Sequence, residues 1–82
     1  MRSWRETKAG IRKARSELAA LKRGKQISNT DWRCLHGYLQ RLDEGIRTDS
    51  ASLYDIEGWL DTLEQGIRLV RANGQLNWYG PD

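Results

Sequence analysis

The sequence predicts an all-α fold, a three-helix bundle in which helices 2 and 3 form an antiparallel hairpin and a basic helix lies at the N-terminus. Apolar residues recur at alternating steps of three and four over most of the 82 residues, which is typical of helix seams. An eleven-residue unit, GYLQRLDEGIR from Gly37 to Arg47, returns as GWLDTLEQGIR from Gly58 to Arg68 with six positions identical. The connection between helices 2 and 3 is only about four or five residues long, so the matching helices must form an antiparallel hairpin.

Helix 1 is predicted over about residues 3–23. Ser3 is a candidate N-cap, Glu6 completes a capping box, and Gly24 is a plausible C-cap. Its seam is thin, because two of its members are small. The seam consists of Trp4, Thr7, Ile11, Ala14, Leu18 and Leu21.

Helix 2 is predicted over about residues 30–46, and either Ser28 or Thr30 can cap its start. At its end, Gly45 fits a left-handed glycine cap, although the helix could also run through this glycine. The predicted seam is Trp32, Leu35, Leu39, Leu42 and Ile46.

Helix 3 is predicted over about residues 51–73, with a start at Asp49, Ser50 or Ser52 and an end at Asn73-Gly74. Its seam is the most regular in the chain: Leu53, Ile56, Leu60, Leu63, Ile67 and Val70. The tail, residues 75–82, carries Leu76, Trp78 and Tyr79. We expect its two large aromatic side chains, Trp78 and Tyr79, to dock on the bundle or on a neighbouring molecule.

The repeat also predicts a register for the hairpin. Folding the chain about position 49 places Gly45 opposite Leu53 and Gly66 opposite Trp32. In each pair, the glycine would leave room for the bulky first seam residue of the other helix. The hairpin is therefore expected to bring its two backbones close together.

A glycine inside a helix costs about 1 kcal/mol relative to alanine, so the four glycines of the repeat suggest close backbone approach. For Gly37 and Gly58 the alternative is chance placement on a solvated face. The same register puts Tyr38 and Trp59 close together at one edge of the seam.

Charge is distributed unevenly along the chain. Residues 1–25 carry nine basic and two acidic side chains, a net +7, whereas residues 26–82 carry five basic and nine acidic side chains, a net −4. The two parts could attract each other within a monomer, pair between subunits, or present a basic face to another anion. A single domain of residues 1–82 has a small core, and the hairpin of helices 2 and 3 needs cover on its open side, of which helix 1 supplies only part. We therefore also expect a homodimer.

The sequence gives little evidence of a catalytic site, a metal site or a membrane-spanning segment. Cys34 is the only cysteine, and His36, two positions away on a helix, points elsewhere, so the pair forms neither a zinc site nor a nucleophile and base. The carboxylates of helices 2 and 3 are interpreted as solvated surface. We therefore expect no enzyme activity, no cofactor and no metal. Lacking a long apolar run or a signal peptide, the chain is expected to be soluble and cytoplasmic, with no membrane partner.

The function predicted is a non-enzymatic protein-binding module, a regulator, adaptor or inhibitor of a larger partner. Phages and mobile elements use small tryptophan-rich helical chains of this kind. That this chain is one of them is a hypothesis based on size and composition alone. The alternative is nucleic-acid binding through helix 1, although its cations are interpreted as spread around the helix and helices 2 and 3 fit a helix-turn-helix poorly. The candidate partner-binding residues are Trp4, Arg5, Lys8, Arg12, Arg15, Trp78 and Tyr79, with core filler an equal alternative for Trp4.

Overall fold

A computed structural model of the chain describes residues 2–76, which form three α-helices: α1 (Trp4–Arg23), α2 (Asn29–Arg47) and α3 (Leu53–Asn73). Each helix contacts the other two. The contact between α2 and α3 is the most extensive, and that between α1 and α2 is the least. The predicted three-helix bundle is confirmed. None of these helices is long and apolar enough to cross a lipid bilayer.

Serine side chains begin all three helices. The hydroxyl of Ser3 accepts a hydrogen bond from the Glu6 amide at 3.2 Å, and the Ser3 amide donates in turn to the Glu6 carboxylate, so the predicted capping box is formed. Of the alternatives that the sequence offered, Ser28 and not Thr30 caps α2, and Ser52 caps α3. Each serine satisfies an amide that the first helical turn would otherwise leave unpaired.

The end of α2 distinguishes the two alternatives for Gly45. The helix runs through Gly45 to Arg47 and is capped by Thr48, so Gly45 is not a left-handed cap. The left-handed residue is instead Asp49, with φ of 53°, a conformation that Asp tolerates better than most residues. At the end of α3, Gly74 takes the left-handed conformation with φ of 80°, as predicted.

The core lies along the three predicted seams. The seam of α1 begins one step later than predicted, because Trp4 is 41% exposed whereas Thr7 is fully buried. Trp32, Ile46 and Leu53 lie at the margin of the core and are only partly buried. The buried hydrophobic residues are Ile11, Ala14, Leu18, Leu21, Leu35, Leu39, Leu42, Ile56, Leu60, Leu63, Ile67, Val70 and Leu76.

The chain after α3 folds back on the bundle. Leu76 is buried, and its amide donates a hydrogen bond to the buried Asp31 carboxylate at the start of α2, at 3.3 Å. The docking expected of the tail concerned its two aromatic side chains, and it stays a prediction. Trp78 and Tyr79 lie outside the described residues.

Gly45 is a point of close approach between α2 and α3, but not to the predicted residue. A Cβ atom at Gly45 would lie 3.1 Å from the Ala51 Cβ, 3.1 Å from the Ile56 Cδ1 and 3.3 Å from the Trp59 Cζ3. The sequence register had placed Leu53 there. The three nearest atoms belong instead to Ala51, in the turn before α3, and to Ile56 and Trp59, further along α3.

The other glycines of the repeat differ from one another. Gly66 is buried, whereas Gly37 and Gly58 are exposed and a Cβ at either position would meet nothing within 4 Å. For Gly37 and Gly58 the solvated-face alternative is therefore correct. Gly10, outside the repeat, allows a close approach between α1 and α3, since its Cβ would lie 3.0 Å from the Leu60 Cδ2.

Candidate functional site

The cations of α1 form one stripe along the helix. From Arg5 to Lys22, five of these cations follow one another at intervals of three, four, three and seven positions. Ala19 occupies the same face within the last interval. Such intervals place residues on one face of an α-helix. All five cations are exposed. We call the set the basic stripe: Arg5, Lys8, Arg12, Arg15 and Lys22. The interpretation that these cations are spread around the helix is wrong. Of the two other cations of α1, Arg23 lies on the same side as the stripe and Lys13 lies on another side.

The basic stripe borders the buried seam of α1. Lys8, Arg12 and Arg15 each follow a buried seam residue by one position, and Lys22 does the same further along the helix. The stripe lies on the side that faces α2, because Arg15 forms an ion pair with Asp43 of that helix. Basic charge and the α1–α2 contact therefore share one face of the bundle.

The N-terminal half of the stripe is free of internal ion pairs. Within residues 2–76, Arg5, Lys8 and Arg12 have no ion-pair partner. The Lys8 ammonium lies 5.9 Å from the centre of the exposed Trp4 ring, a weak cation–π contact. Four candidate residues thus lie near the N-terminal end of α1: Trp4, Arg5, Lys8 and Arg12. The charges of the three cations are available to another molecule.

An open groove continues the stripe between α1 and α2. It has a volume of about 550 Å³, within the range of about 300–1,000 Å³ that ligand pockets occupy. We call it the α1–α2 groove, and it is lined by Arg15, Leu18, Ala19, Lys22, Arg23, Trp32, His36, Leu39, Gln40 and Asp43. On the α1 side the lining combines the buried Leu18 with the small Ala19 and three long cations, two of which reach side chains of α2.

Aromatic rings form one wall of the groove. The Trp32 and His36 rings are stacked, with centroids 4.4 Å apart and planes inclined by 18°. The Lys22 ammonium lies 3.4 Å from the centre of the Trp32 ring, on the α1 side. Sequence reasoning assigned Trp32 to the core and His36 to the surface, and it missed that both line this groove. The missed signal is the spacing of Trp32, His36 and Asp43, which places them on one face of α2.

The groove is electropositive at its rim and apolar at its floor. Arg15, Lys22 and Arg23 contribute three positive charges, and Asp43, the one acidic side chain of the lining, is already paired with Arg15. Leu18 and Leu39 form the buried floor. Such an arrangement favours a ligand that is both apolar and acidic.

Arg2, just before α1, is bound by carboxylates of α3. Its guanidinium donates to Glu64 at 2.6 Å and to Asp61 at 3.1 Å, and its amide donates to Glu57 at 3.1 Å. The hydrogen bond that Arg2 donates to the Glu64 carboxylate raises the pKa of Arg2 above its ordinary value, so this side chain stays charged. The interpretation of these carboxylates as merely solvated is wrong, because they hold the N-terminus against α3.

A second aromatic edge lies between α2 and α3. The Arg41 guanidinium carbon is 5.9 Å from the centre of the Tyr38 ring and 5.6 Å from that of Trp59. One cation thus contacts both rings, which agrees with the predicted closeness of Tyr38 and Trp59. Gly45 helps to bring Trp59 to this edge, since the Trp59 ring occupies the space that a side chain at Gly45 would need.

Cys34 and His36 have different surroundings. Cys34 is a free cysteine packed partly against the core, whereas His36 stacks on Trp32 at the groove. Within residues 2–76, no three His, Cys, Asp or Glu side chains are grouped so that they could hold a metal ion.

Comparisons of the chain with protein-family models, with curated proteins and with solved structures find no match.

Proposed function

We propose that the protein is a small non-enzymatic binding module that docks on an acidic surface of a larger protein and acts as its regulator, adaptor or inhibitor. The observation that supports this function is the continuity of the basic stripe with the α1–α2 groove. One face offers unpaired cations at one end and an apolar floor at the other. Interfaces between proteins combine an apolar centre with a polar rim in the same way.

The cations contribute to this proposal in two ways. Unpaired surface charges steer an oppositely charged partner and raise its rate of association. Removing them changes folding little, because exposed cations without ion-pair partners contribute little to stability. Lys8 and Arg12 are therefore suitable positions for separating binding from folding.

The experiment is affinity capture from nuclease-treated lysate of the native host, followed by titration of the identified, purified partner. We expect the double variant Lys8→Glu, Arg12→Glu to lose capture and to weaken binding at least about tenfold. The matched control is Lys13→Glu, which changes charge on the same helix outside the stripe. Equal binding by the double variant and the wild type would contradict the proposal.

Nucleic-acid binding is the second candidate function. The observation that favours it is the stripe itself, because cations at helical spacing along one exposed face can each meet a backbone phosphate. Labelled duplex and single-stranded oligonucleotides are titrated at two salt concentrations. Tight binding that falls steeply with salt, and that Lys8→Glu with Arg12→Glu abolishes, would favour this function over a protein partner.

Self-association is proposed separately from the partner. The sequence argument for a homodimer was that the α2–α3 hairpin needs cover on its open side. Much of that cover is supplied within one chain, by α1 and by Leu76. Size-exclusion chromatography with light scattering tests the dimer, and a monomer at tens of micromolar would remove it from the proposal.

A further inference from the structure

The shape of the α1–α2 groove matches a helix. It lies between two neighbouring antiparallel helices and extends along α1 from Arg15 to Arg23, about two helical turns or roughly 12 Å. A third helix laid along such a pair can place apolar residues at i, i+3, i+4 and i+7 over the floor. The floor and wall that would meet them are Leu18, Ala19, Leu39 and Trp32.

We infer that the α1–α2 groove receives an acidic amphipathic helix of the partner protein. This inference rests on the proposed function and names the segment that the module recognises. The apolar face of that helix packs on Leu18, Ala19 and Leu39, and its carboxylates meet Lys22 and Arg23 at the rim.

Charge selects the acidic helix over other helices. The rim carries Arg15, Lys22 and Arg23, and Asp43 is engaged by Arg15, so an incoming carboxylate finds two cations without ion-pair partners among residues 2–76. A basic amphipathic helix would bring like charges against the same rim, which is unfavourable. The basic stripe prolongs the positive surface beyond the groove towards Arg12.

The apolar floor favours a protein over a nucleic acid. Phosphates gain nothing from Leu18, Ala19 and Leu39, whereas leucine or isoleucine side chains of a helix lose contact with water there. A second copy of the chain fits poorly. Its acidic helix, α3, has its apolar seam buried, and Glu57 and Glu64 already bind Arg2.

The experiment uses isotope-labelled protein and a synthetic helix-forming peptide with leucines at i, i+3, i+4 and i+7 and glutamates on both flanks. Binding is followed by NMR at the Trp32 indole N–H and the Ala19 methyl group. We expect saturable shifts at both groups. The same peptide with leucines replaced by serine, or with glutamates replaced by lysine, is expected to bind at least about tenfold more weakly.

Two alanine variants test the place of binding. Ala19→Glu puts a carboxylate inside the groove, whereas Ala20→Glu makes the same change at the next position, which is exposed and does not line it. We expect Ala19→Glu to weaken binding of the peptide at least about tenfold and Ala20→Glu to leave it unchanged. Circular dichroism and thermal unfolding show whether both variants remain folded.

Several results would overturn the inference. These are no saturable binding of the acidic peptide, equal binding of the serine or lysine peptide, and displacement of the peptide by a duplex oligonucleotide or by self-association at higher protein concentration. Failure of the groove and failure of the proposed function are distinguishable. If Ala19→Glu captures the native partner as well as the wild type while Lys8→Glu with Arg12→Glu does not, the groove inference fails and the binding function stands.

Discussion

Lys22 of α1 places its ammonium group 3.4 Å from the centre of the Trp32 ring of α2. This contact joins the two helices that share the least extensive interface in the bundle. The same cation belongs to the basic stripe and the same ring belongs to the groove wall. The contact therefore links the stability of the bundle to the surface that we propose for binding.

Replacement of Lys22 by Gln removes the charge and keeps most of the stem. Because a cation–π contact at an exposed site is worth about 0.5–1 kcal/mol, we expect the free energy of unfolding to fall by about that amount. Urea denaturation measures the change. Lys13→Gln, on another side of α1, is the control, and an equal loss in both variants would mean that the ring contact contributes nothing specific.

The glycines of the repeat should respond differently to alanine. At the exposed Gly37 and Gly58, a Cβ meets nothing, so Ala is expected to stabilise the protein by about 0.5–1 kcal/mol through helix propensity. At Gly45 the new Cβ would press on Ala51 and Ile56 at 3.1 Å, and overpacking is expected to outweigh that gain, with a net loss of about 1 kcal/mol. Chemical denaturation of the three single variants measures this order. A stabilising Gly45→Ala would show that α2 and α3 can separate slightly without loss.

The hydroxyl of Thr7 is fully buried and has no hydrogen-bond partner among the described residues. Replacement by Val keeps the branched shape and removes the unsatisfied oxygen. We expect the free energy of unfolding to rise by about 1 kcal/mol, measured by thermal or urea unfolding. The matched control is Thr62→Val, because the Thr62 hydroxyl donates to the Gly58 carbonyl and its removal brings no such gain.

The ion pair between Arg2 and Glu64 should give a measurable coupling energy. In a double-mutant cycle of Arg2→Ala and Glu64→Gln, we expect about 0.5–1.5 kcal/mol, because the ion pair is partly exposed and hydrogen-bonded. The coupling should shrink at high salt. Arg5→Ala is the control, since Arg5 has no ion-pair partner within residues 2–76. If Arg5→Ala lowers the free energy of unfolding as much as Arg2→Ala does, the Arg2–Glu64 ion pair makes no specific contribution.

The local structure of this chain could be read from its sequence. The serine caps, the glycine that ends α3 and the alternating seams predicted the bounds of all three helices closely, and the short connection between the second and third helices predicted the hairpin. These features depend on neighbours within one or two helical turns, so a linear pattern carries them. The steps that align Arg5, Lys8, Arg12 and Arg15 were equally present in the sequence, and their alignment was simply not recognised.

Only the tertiary structure decided what the helices bring together across the bundle. The residues that press on Gly45 depend on how α2 packs on α3. The exposure of Trp4, the binding of Arg2 by α3 and the contact of Lys22 with Trp32 depend on how α1 lies against the hairpin. That position follows from the relative packing of three seams, in which side-chain volumes and a few contacts distant in sequence decide between similar arrangements. The basic stripe is thus a property of the sequence, whereas the groove beside it is a property of the fold.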